Sequence, residues 1–249
     1  MRAERICLDD TRDIEKRIEQ YWNKRSTAFS RVRQQELGSE DAAHWLHLLE
    51  EHMPSGASLK ILDIGTGAGF FAILLAGQGH EVVGIDMSAD MLHEAKKNMV
   101  ATGFRAEFRR MDAQNLDFPD QCFDAVISRN LTWTLPDAMQ AYREWHRVLK
   151  AGGILMNFDS DCGQRMFSKA KDRADVHAGI ADDLLEECNA IKEELRISTH
   201  RRPAWDIGIL RGLGFEVASA ADISPLVHRD SAMRYDDIPL FAIYARKQA

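Results

Sequence analysis

Ten residues, Ile61-Leu-Asp63-Ile-Gly65-Thr-Gly67-Ala-Gly69-Phe70, constrain the fold more than any other stretch of the chain. An apolar run, 59–64, leads into a turn with glycine at every second position, and a helical pattern, 70–76, follows. Strand, sharp turn and helix account for that order. Glycine lets the backbone double back and approach a ligand closely. The helix beyond presents free N–H groups and the positive end of its dipole. More strands and helices alternate downstream. Residues 81–85 read as a second strand, 91–102 as a helix closed by Gly103, and 106–110 as a weaker third strand. Residues 123–128 read as a fourth strand, 137–149 as a helix ended by Gly152-Gly153, and 153–158 as a fifth strand. Alternation at this spacing implies parallel βαβ units with right-handed crossovers.

The flanks differ. Residues 11–53 read as helices: 13–21 is charged and periodic, and 40–53 sets Trp45, Leu46, Leu48 and Leu49 on a polar background. Pro54-Ser-Gly56 breaks the pattern. A long charged helical stretch, 161–201, interrupts the strand rhythm, 205–212 is a helix, and 215–219 and 239–245 are two last strands. No crossover helix is evident between those two, which leaves antiparallel pairing open to them. The expected organisation is one α/β domain over 1–249, divided into a helical cap (1–56), a ligand-binding core (57–160), a helical lid insert (161–204) and a C-terminal helix with strands (205–249).

Composition narrows the classes of function. The chain has 249 residues and a formal net charge of -7, from 32 basic and 39 acidic side chains. Nucleic-acid binders carry basic surfaces because phosphate neutralisation drives their affinity, so no nucleic-acid partner is expected. No run approaches the roughly 18–20 apolar residues of a membrane span, and the first ten residues lack an apolar run of signal-peptide length. A cytoplasmic protein is expected, with no membrane partner. Cys7, Cys122, Cys162 and Cys188 form no CxxC pair, so a zinc ribbon is not indicated. Cys162 and Cys188 have no evident base nearby in sequence to make a nucleophile. His47 and His52 imitate a metalloprotease helix, but they are five residues apart. That spacing turns them about 140° from each other on a helix, so no metal is expected.

The acids around the glycine turn carry the ligand reading. A dinucleotide fingerprint needs glycine or alanine where this chain has Phe70. Asp63 stands two residues before the first glycine, poorly placed for a pyrophosphate and suited to an ammonium group. Asp86, at the end of the second strand, can accept hydrogen bonds from ribose hydroxyls. Asp112, after the third strand, can accept from an adenine amino group, with Met87 and Met91 on either side of the ring. Each acid has a plainer reading as a helix cap or turn former. Together they describe adenosine joined to an amino acid, without phosphate.

This pattern resembles the S-adenosylmethionine motif of class I methyltransferases of the small-molecule type. The resemblance runs from about residue 59 to 158. It includes Phe123-Asp-Ala-Val-Ile-Ser-Arg-Asn-Leu-Thr-Trp133 and Leu149-Lys-Ala-Gly-Gly-Ile-Leu155. It implies a Rossmann-like, mostly parallel seven-stranded sheet in the order 3-2-1-4-5-7-6, with the last strand antiparallel. It implies that Asp63 anchors the methionine amino group, often indirectly, and that Gly65, Thr66, Gly67 and Gly69 line the methionine moiety. Asp86 would then hold the ribose, and Asp112 with Ala113 would read the adenine. The implied reaction is in-line methyl transfer to a small molecule, leaving S-adenosylhomocysteine. The Asn/Asp-Pro-Pro-aromatic motif of many amino methyltransferases is replaced here by Ser128-Arg-Asn-Leu-Thr-Trp133.

Other functions fit parts of the same sequence. Action on RNA or protein would need a basic surface beside the pocket. A cofactor-binding protein without activity would have its chamber blocked by side chains such as Trp133. A nicotinamide oxidoreductase is opposed by Asp63 and Phe70. Arg129, Asn130 and Trp133 are the candidates for orienting the reaction. Arg129 can bind a substrate carboxylate or form a salt bridge across the sheet top. Trp133 can stack on a substrate or fill the core. The segment 21–29 resembles the part that closes over the cofactor, which makes Tyr21, Trp22 and Ser26 candidates, against a plain amphipathic helix. The insert contains Arg165, Lys169, Lys171, Arg173 and His177. Arg202 and Trp205 can face an anionic or aromatic substrate, or belong to a solvated lid with Asp206 near a helix start.

Overall fold

The computed structural model describes residues 8–168, 180–233, 235 and 237–248. Two helices open it, α1 (Leu8–Leu37) and α2 (Glu40–His52). Then come β1 (Lys60–Ile64), α3 (Phe70–Gly77), β2 (Glu81–Asp86), α4 (Ala89–Thr102), β3 (Glu107–Arg110), β4 (Phe123–Arg129), α5 (Ala138–Val148) and β5 (Leu149–Ser160). α6 (Asp182–Glu194), α7 (Ala204–Gly212), β6 (Phe215–Ala220), α8 (Ser224–Val227) and β7 (Leu240–Lys247) complete the chain. The strands form one seven-stranded sheet in the order β3-β2-β1-β4-β5-β7-β6, as the resemblance implied. β1 to β5 pair in parallel, and β7 runs antiparallel to both β5 and β6.

The central strands are apolar on both faces because helices cover both sides. On β1, Leu62 and Ile64 enter a core shared with Tyr142 and Trp145 of α5. Ile61 points the other way, into a core with Trp45 and Leu49 of α2 and Phe71 of α3. This alternation, two residues per repeat, is what a strand produces. Local signals set the helix ends. Ser88 Oγ accepts from Met91 N at the start of α4, and Gly103 closes that helix with φ 76°. Asp137 accepts from Gln140 N ahead of α5, so it is a cap and not the first helical residue.

The boundaries differ from the sequence reading where pairing overrides composition. β5 runs twelve residues and continues through Gly152-Gly153. Leu149 pairs with Phe123 at one end, and Asp159 and Ser160 pair with β7 at the other. α1 is a single helix of 30 residues, far longer than the periodic stretch at 13–21. It packs along α4 and α6. Lys169, Lys171, Arg173 and His177 of the insert, and Cys7, lie outside the described residues. Among the described residues no helix is long and apolar enough to cross a membrane.

Candidate functional site

In an open α/β sheet, ligands bind beyond the carboxyl ends of the parallel strands. Here that end opens into a cavity of about 190 Å³. One water needs only roughly 10–15 Å³, so this is not a packing defect. The glycine turn forms its floor. Gly65 and Gly67 have φ of 68° and 53°, the left-handed region that favours glycine. A Cβ on Gly65 would come within 2.9 Å of Leu131 Cδ2, and one on Gly67 within 3.3 Å of Phe29 Cε1. Thr66 N donates to Ile85 O at 2.9 Å and ties the turn to β2.

The strand-tip acids meet in this cavity. Asp63 is buried and accepts from Thr66 Oγ1 at 2.7 Å and Ala72 N at 3.2 Å. Burial pushes its carboxyl up to about 7, against those hydrogen bonds. Asp86 accepts from Gly67 N at 3.0 Å and Ser88 N at 2.9 Å, and burial raises it to about 6. Asp112 accepts from Gln114 N at 2.9 Å. Glu15 of α1 joins them, its carboxyl raised by burial and by the charge of Asp112. Met87, Met91, Ala113 and Thr66 also line the cavity.

α1 forms the roof. Glu15, Ile18, Tyr21, Arg25, Phe29 and Arg33 recur every three or four residues and, with Trp22 beside Tyr21, face the cavity as one stripe. Polar latches hold this helix over the sheet. Asn23 Oδ1 accepts from Ser88 Oγ at 2.6 Å, Gln34 Nε2 donates to Asn98 Oδ1 at 2.6 Å, and Asn98 Nδ2 donates to Ser30 Oγ at 3.1 Å. Arg17 bonds Glu187 and Glu194 of α6 on the other flank.

Several expected site residues stand elsewhere. Ser26 is outside the cavity wall; its Oγ donates back to Asn23 O at 2.9 Å. Asn23, which was not singled out in the sequence, makes the latch instead. Gly69 also lies outside the wall; it caps α3 and packs on Ala95 of α4. Arg129 reaches the wall, but Glu36 holds its guanidinium at 2.8 and 3.2 Å over the ring of Trp45. The salt bridge is the reading that the geometry supports, not a free carboxylate clamp. Asn130 and Trp133 line the cavity, and Trp133 stands edge-on to Phe167 at 5.8 Å.

Arg202 and Trp205 are also outside the wall. Trp205 stacks on His200 at 4.6 Å. Arg202 is buried beneath the cavity, with Nη1 3.2 Å from Asp159 and Nη2 2.8 Å from Asp206. Asp206 also accepts from Tyr142 OH at 2.7 Å, so it is part of a buried network and not of a solvated lid. Asp159 accepts from Trp133 N at 3.0 Å and Ser160 N at 2.8 Å, and both of those residues line the cavity. The network therefore sets part of the wall from behind.

A second buried network stands behind Arg33 and Arg129 of the wall. Glu36, fully buried, accepts from Trp45 Nε1, Arg33, Arg129 and Tyr235 OH. Burial raises its carboxyl, but Arg129 and Arg33 overrule that and hold it at about 2. The one Tyr235 hydroxyl proton is shared between Glu36 and Asp41, whose Oδ2 is 3.0 Å away, and the ring stacks on His228 at 3.5 Å. No spacing signal in the sequence pointed to this cluster, since its members are up to 199 residues apart.

The seven-stranded order, the glycine turn and the acids at the strand tips together define a class I methyltransferase fold. Residues 62–157 match the family model for the methyltransferase domain. It is 35% identical over 109 residues to a phosphatidylethanolamine N-methyltransferase of Cereibacter sphaeroides, covering 42% of this chain and 53% of that one. It is 39% identical over 102 residues to a demethylmenaquinone methyltransferase of Thermus thermophilus, covering 40% and 46%. The chain thus spans about half the length of the curated relatives it matches. Among solved structures, a SAM-dependent methyltransferase from Aquifex aeolicus superposes with a TM-score of 0.56 at 18% identity, covering 87% of this chain and 97% of that one. Phosphoethanolamine N-methyltransferase 2 of Haemonchus contortus, in complex with S-adenosyl-L-methionine, superposes at 0.59 with 18% identity, covering 82% and 52%.

Proposed function

We propose that this chain transfers a methyl group from S-adenosylmethionine to a small-molecule acceptor. One observation carries the reading: Asp63, Asp86 and Asp112, from three adjacent strand ends, face a single cavity beside a glycine turn. The donor chemistry fits. An adenosyl amino acid presents an ammonium, two ribose hydroxyls and an adenine amino group, all of which donate, and ionised carboxylates only accept. A diphosphate in the same place would face carboxyls and find Gly67 N–H already bonded to Asp86. The backbone bonds to Asp86 leave acceptor capacity for ribose hydroxyls, and Asp112 with Ala113 is placed for the adenine, beside Met87 and Met91. Asp63 would act on the amino group at the turn.

When bound, the sulfonium supplies an already activated methyl group. The chain's own part is to orient an acceptor and exclude water, which together can lower a barrier by roughly 7–11 kcal/mol. α1 supports the second task by roofing the cavity, with Phe29 against the glycine turn. The same cavity is also lined by Trp133, Ser160 and Cys162, which favours a working chamber over a blocked binding site. The relatives named above, one for a lipid headgroup and one for a quinone precursor, support a small acceptor. We also propose a cytoplasmic setting, supported by Cys122 and Cys188, which form no disulfide among the described residues.

Calorimetry with S-adenosylmethionine, S-adenosylhomocysteine and NAD tests the cofactor. The first two are expected to bind and NAD is not; NAD binding alone would overturn the reading. Asp86→Ala should weaken S-adenosylhomocysteine more than tenfold, since a hydrogen bond to a charged group contributes roughly 1.5–3 kcal/mol. Unchanged affinity would remove the ribose assignment.

Binding should also release protons. Asp63 and Asp86 sit near 7 and 6 in the free protein, and donors from the ligand favour their ionised forms. The release, read from binding enthalpies in buffers of different ionisation heat, should peak between pH 6 and 7. It should vanish by pH 9, where both carboxyls are already ionised. Proton uptake over the same range contradicts the assignment.

A further inference from the structure

The cavity lining carries both charges. Its acids are Glu15, Asp63, Asp86 and Asp112, and its cations include Arg25, Arg33 and Arg129. Arg33 and Arg129 share Glu36, and the buried Arg202 below the cavity has Asp159 and Asp206. Arg25 differs from all of these. It is 7% exposed, yet among the described residues no carboxylate pairs with it. Its Nη1 donates to the neutral Tyr21 hydroxyl at 3.0 Å, and its Nε is buried without a hydrogen-bond partner. A guanidinium does not lose its proton in a protein, and a buried charge without a counter-charge is unfavourable. Something that visits the cavity can provide that charge.

The surroundings describe the visitor further. Arg25 lies close enough to Cys188 to influence its thiol, and Tyr21, Trp22, Trp133 and Cys188 frame the adjoining recess. Trp133 and Phe167 add an apolar face to this wall. We propose that Arg25 binds an anionic group of the methyl acceptor, a carboxylate or a phosphate, and that the acceptor's apolar body lies against Trp133 and Phe167. This rests on the reading of the cavity as the site of methyl transfer. A guanidinium suits both anions, because its parallel N–H groups match their paired oxygens.

The test is calorimetric and needs no turnover. Benzoate and phenyl phosphate are titrated into the wild-type chain saturated with S-adenosylhomocysteine, with benzamide as the neutral shape match. At least one anion should bind about tenfold or more tightly than benzamide, and which one it is separates a carboxylate acceptor from a phosphate acceptor. Arg25→Gln should erase the preference while still binding S-adenosylhomocysteine, and Arg25→Lys should keep part of it. Equal affinity for anions and benzamide in the wild type overturns the proposal, even if Arg25→Gln fails to fold. An undiminished anion preference in a folded Arg25→Gln protein overturns it as well. Should S-adenosylhomocysteine itself not bind, the cofactor reading fails separately, and the same anion titrations on the free protein still decide the role of Arg25.

Discussion

Replacing Arg202 with methionine is expected to lower folding stability by about 3–5 kcal/mol, the usual effect of removing one partner from a buried ion pair. Its side chain is only 2% exposed and lies between Asp159 and Asp206, whose side chains are fully buried. Methionine fills similar space, so the loss comes from two stranded carboxylates and not from a void. Burial already raises the Asp159 carboxyl even with the Arg202 charge beside it. Without that charge the carboxyl should rise further. A carboxyl raised by folding contributes stability below its unfolded range, and that contribution is lost as pH climbs through the folded value. The variant should therefore be less impaired at pH 5 than at pH 8. Urea unfolding gives both numbers, and an unchanged m value would show that the folded and unfolded states remain comparable. A loss under 1 kcal/mol at pH 8 would show that the network does not hold the wall. Trp205→Ala is the contrast: Trp205 is only partly buried and lies outside that network, so its loss should be much smaller.

The contrast between Arg202 and Asp86 shows what a sequence reveals. Asp86 follows a strand and sits 21 residues beyond Gly65, so chain geometry alone places it at the strand tips. The same holds for Asp63 and Asp112. The strand order was legible too, through the resemblance, because each βα unit has its own turn and period. Arg202 has one local partner, Asp206 four residues on, but finds the others across 43 and 70 residues, at Asp159 and Thr132. No local period encodes those two. The helical roof shows a subtler limit. Tyr21 and Trp22 line the cavity and Ser26 does not, while Asn23, on no sequence signal, latches the helix to Ser88. Phasing a helix face needs its full extent, and α1 continues to Leu37. Only over that length do Glu15, Tyr21, Arg25, Phe29 and Arg33 emerge as one stripe. β5 was read short because glycines usually end elements, yet pairing with β4 and β7 carries the strand through Gly152-Gly153.

Glu36→Gln should be nearly as damaging as the loss of Arg202, for the opposite reason: it strands cations. Arg33 and Arg129 are nearly buried and share this one carboxylate, so neutralising it leaves two guanidiniums without a counter-charge. Glutamine keeps the size and one acceptor oxygen, which separates charge from packing. The expected loss at pH 7 is about 3–5 kcal/mol. The pH dependence gives an independent check. Glu36 lies at about 2 in the folded chain, against an ordinary 4.5. A depressed carboxyl contributes stability above its unfolded value and loses it as pH falls through the folded one. A shift of that size corresponds to about 3–4 kcal/mol at roughly 1.4 kcal/mol per unit. The gap in urea midpoint between wild type and Glu36→Gln should therefore be widest above pH 5 and narrow steadily below 4.5. A gap that is absent at pH 7, or that grows in acid, would mean that Glu36 does not hold the two arginines by charge. Its site effect should follow its stability effect. Tyr235, Trp45 and Arg129 all converge on Glu36, so the cavity wall at Arg129 loosens when that charge is lost. Cofactor affinity should fall less than in Asp86→Ala, because Glu36 does not line the cavity, whereas Asp86 does and is proposed to hold the ribose directly.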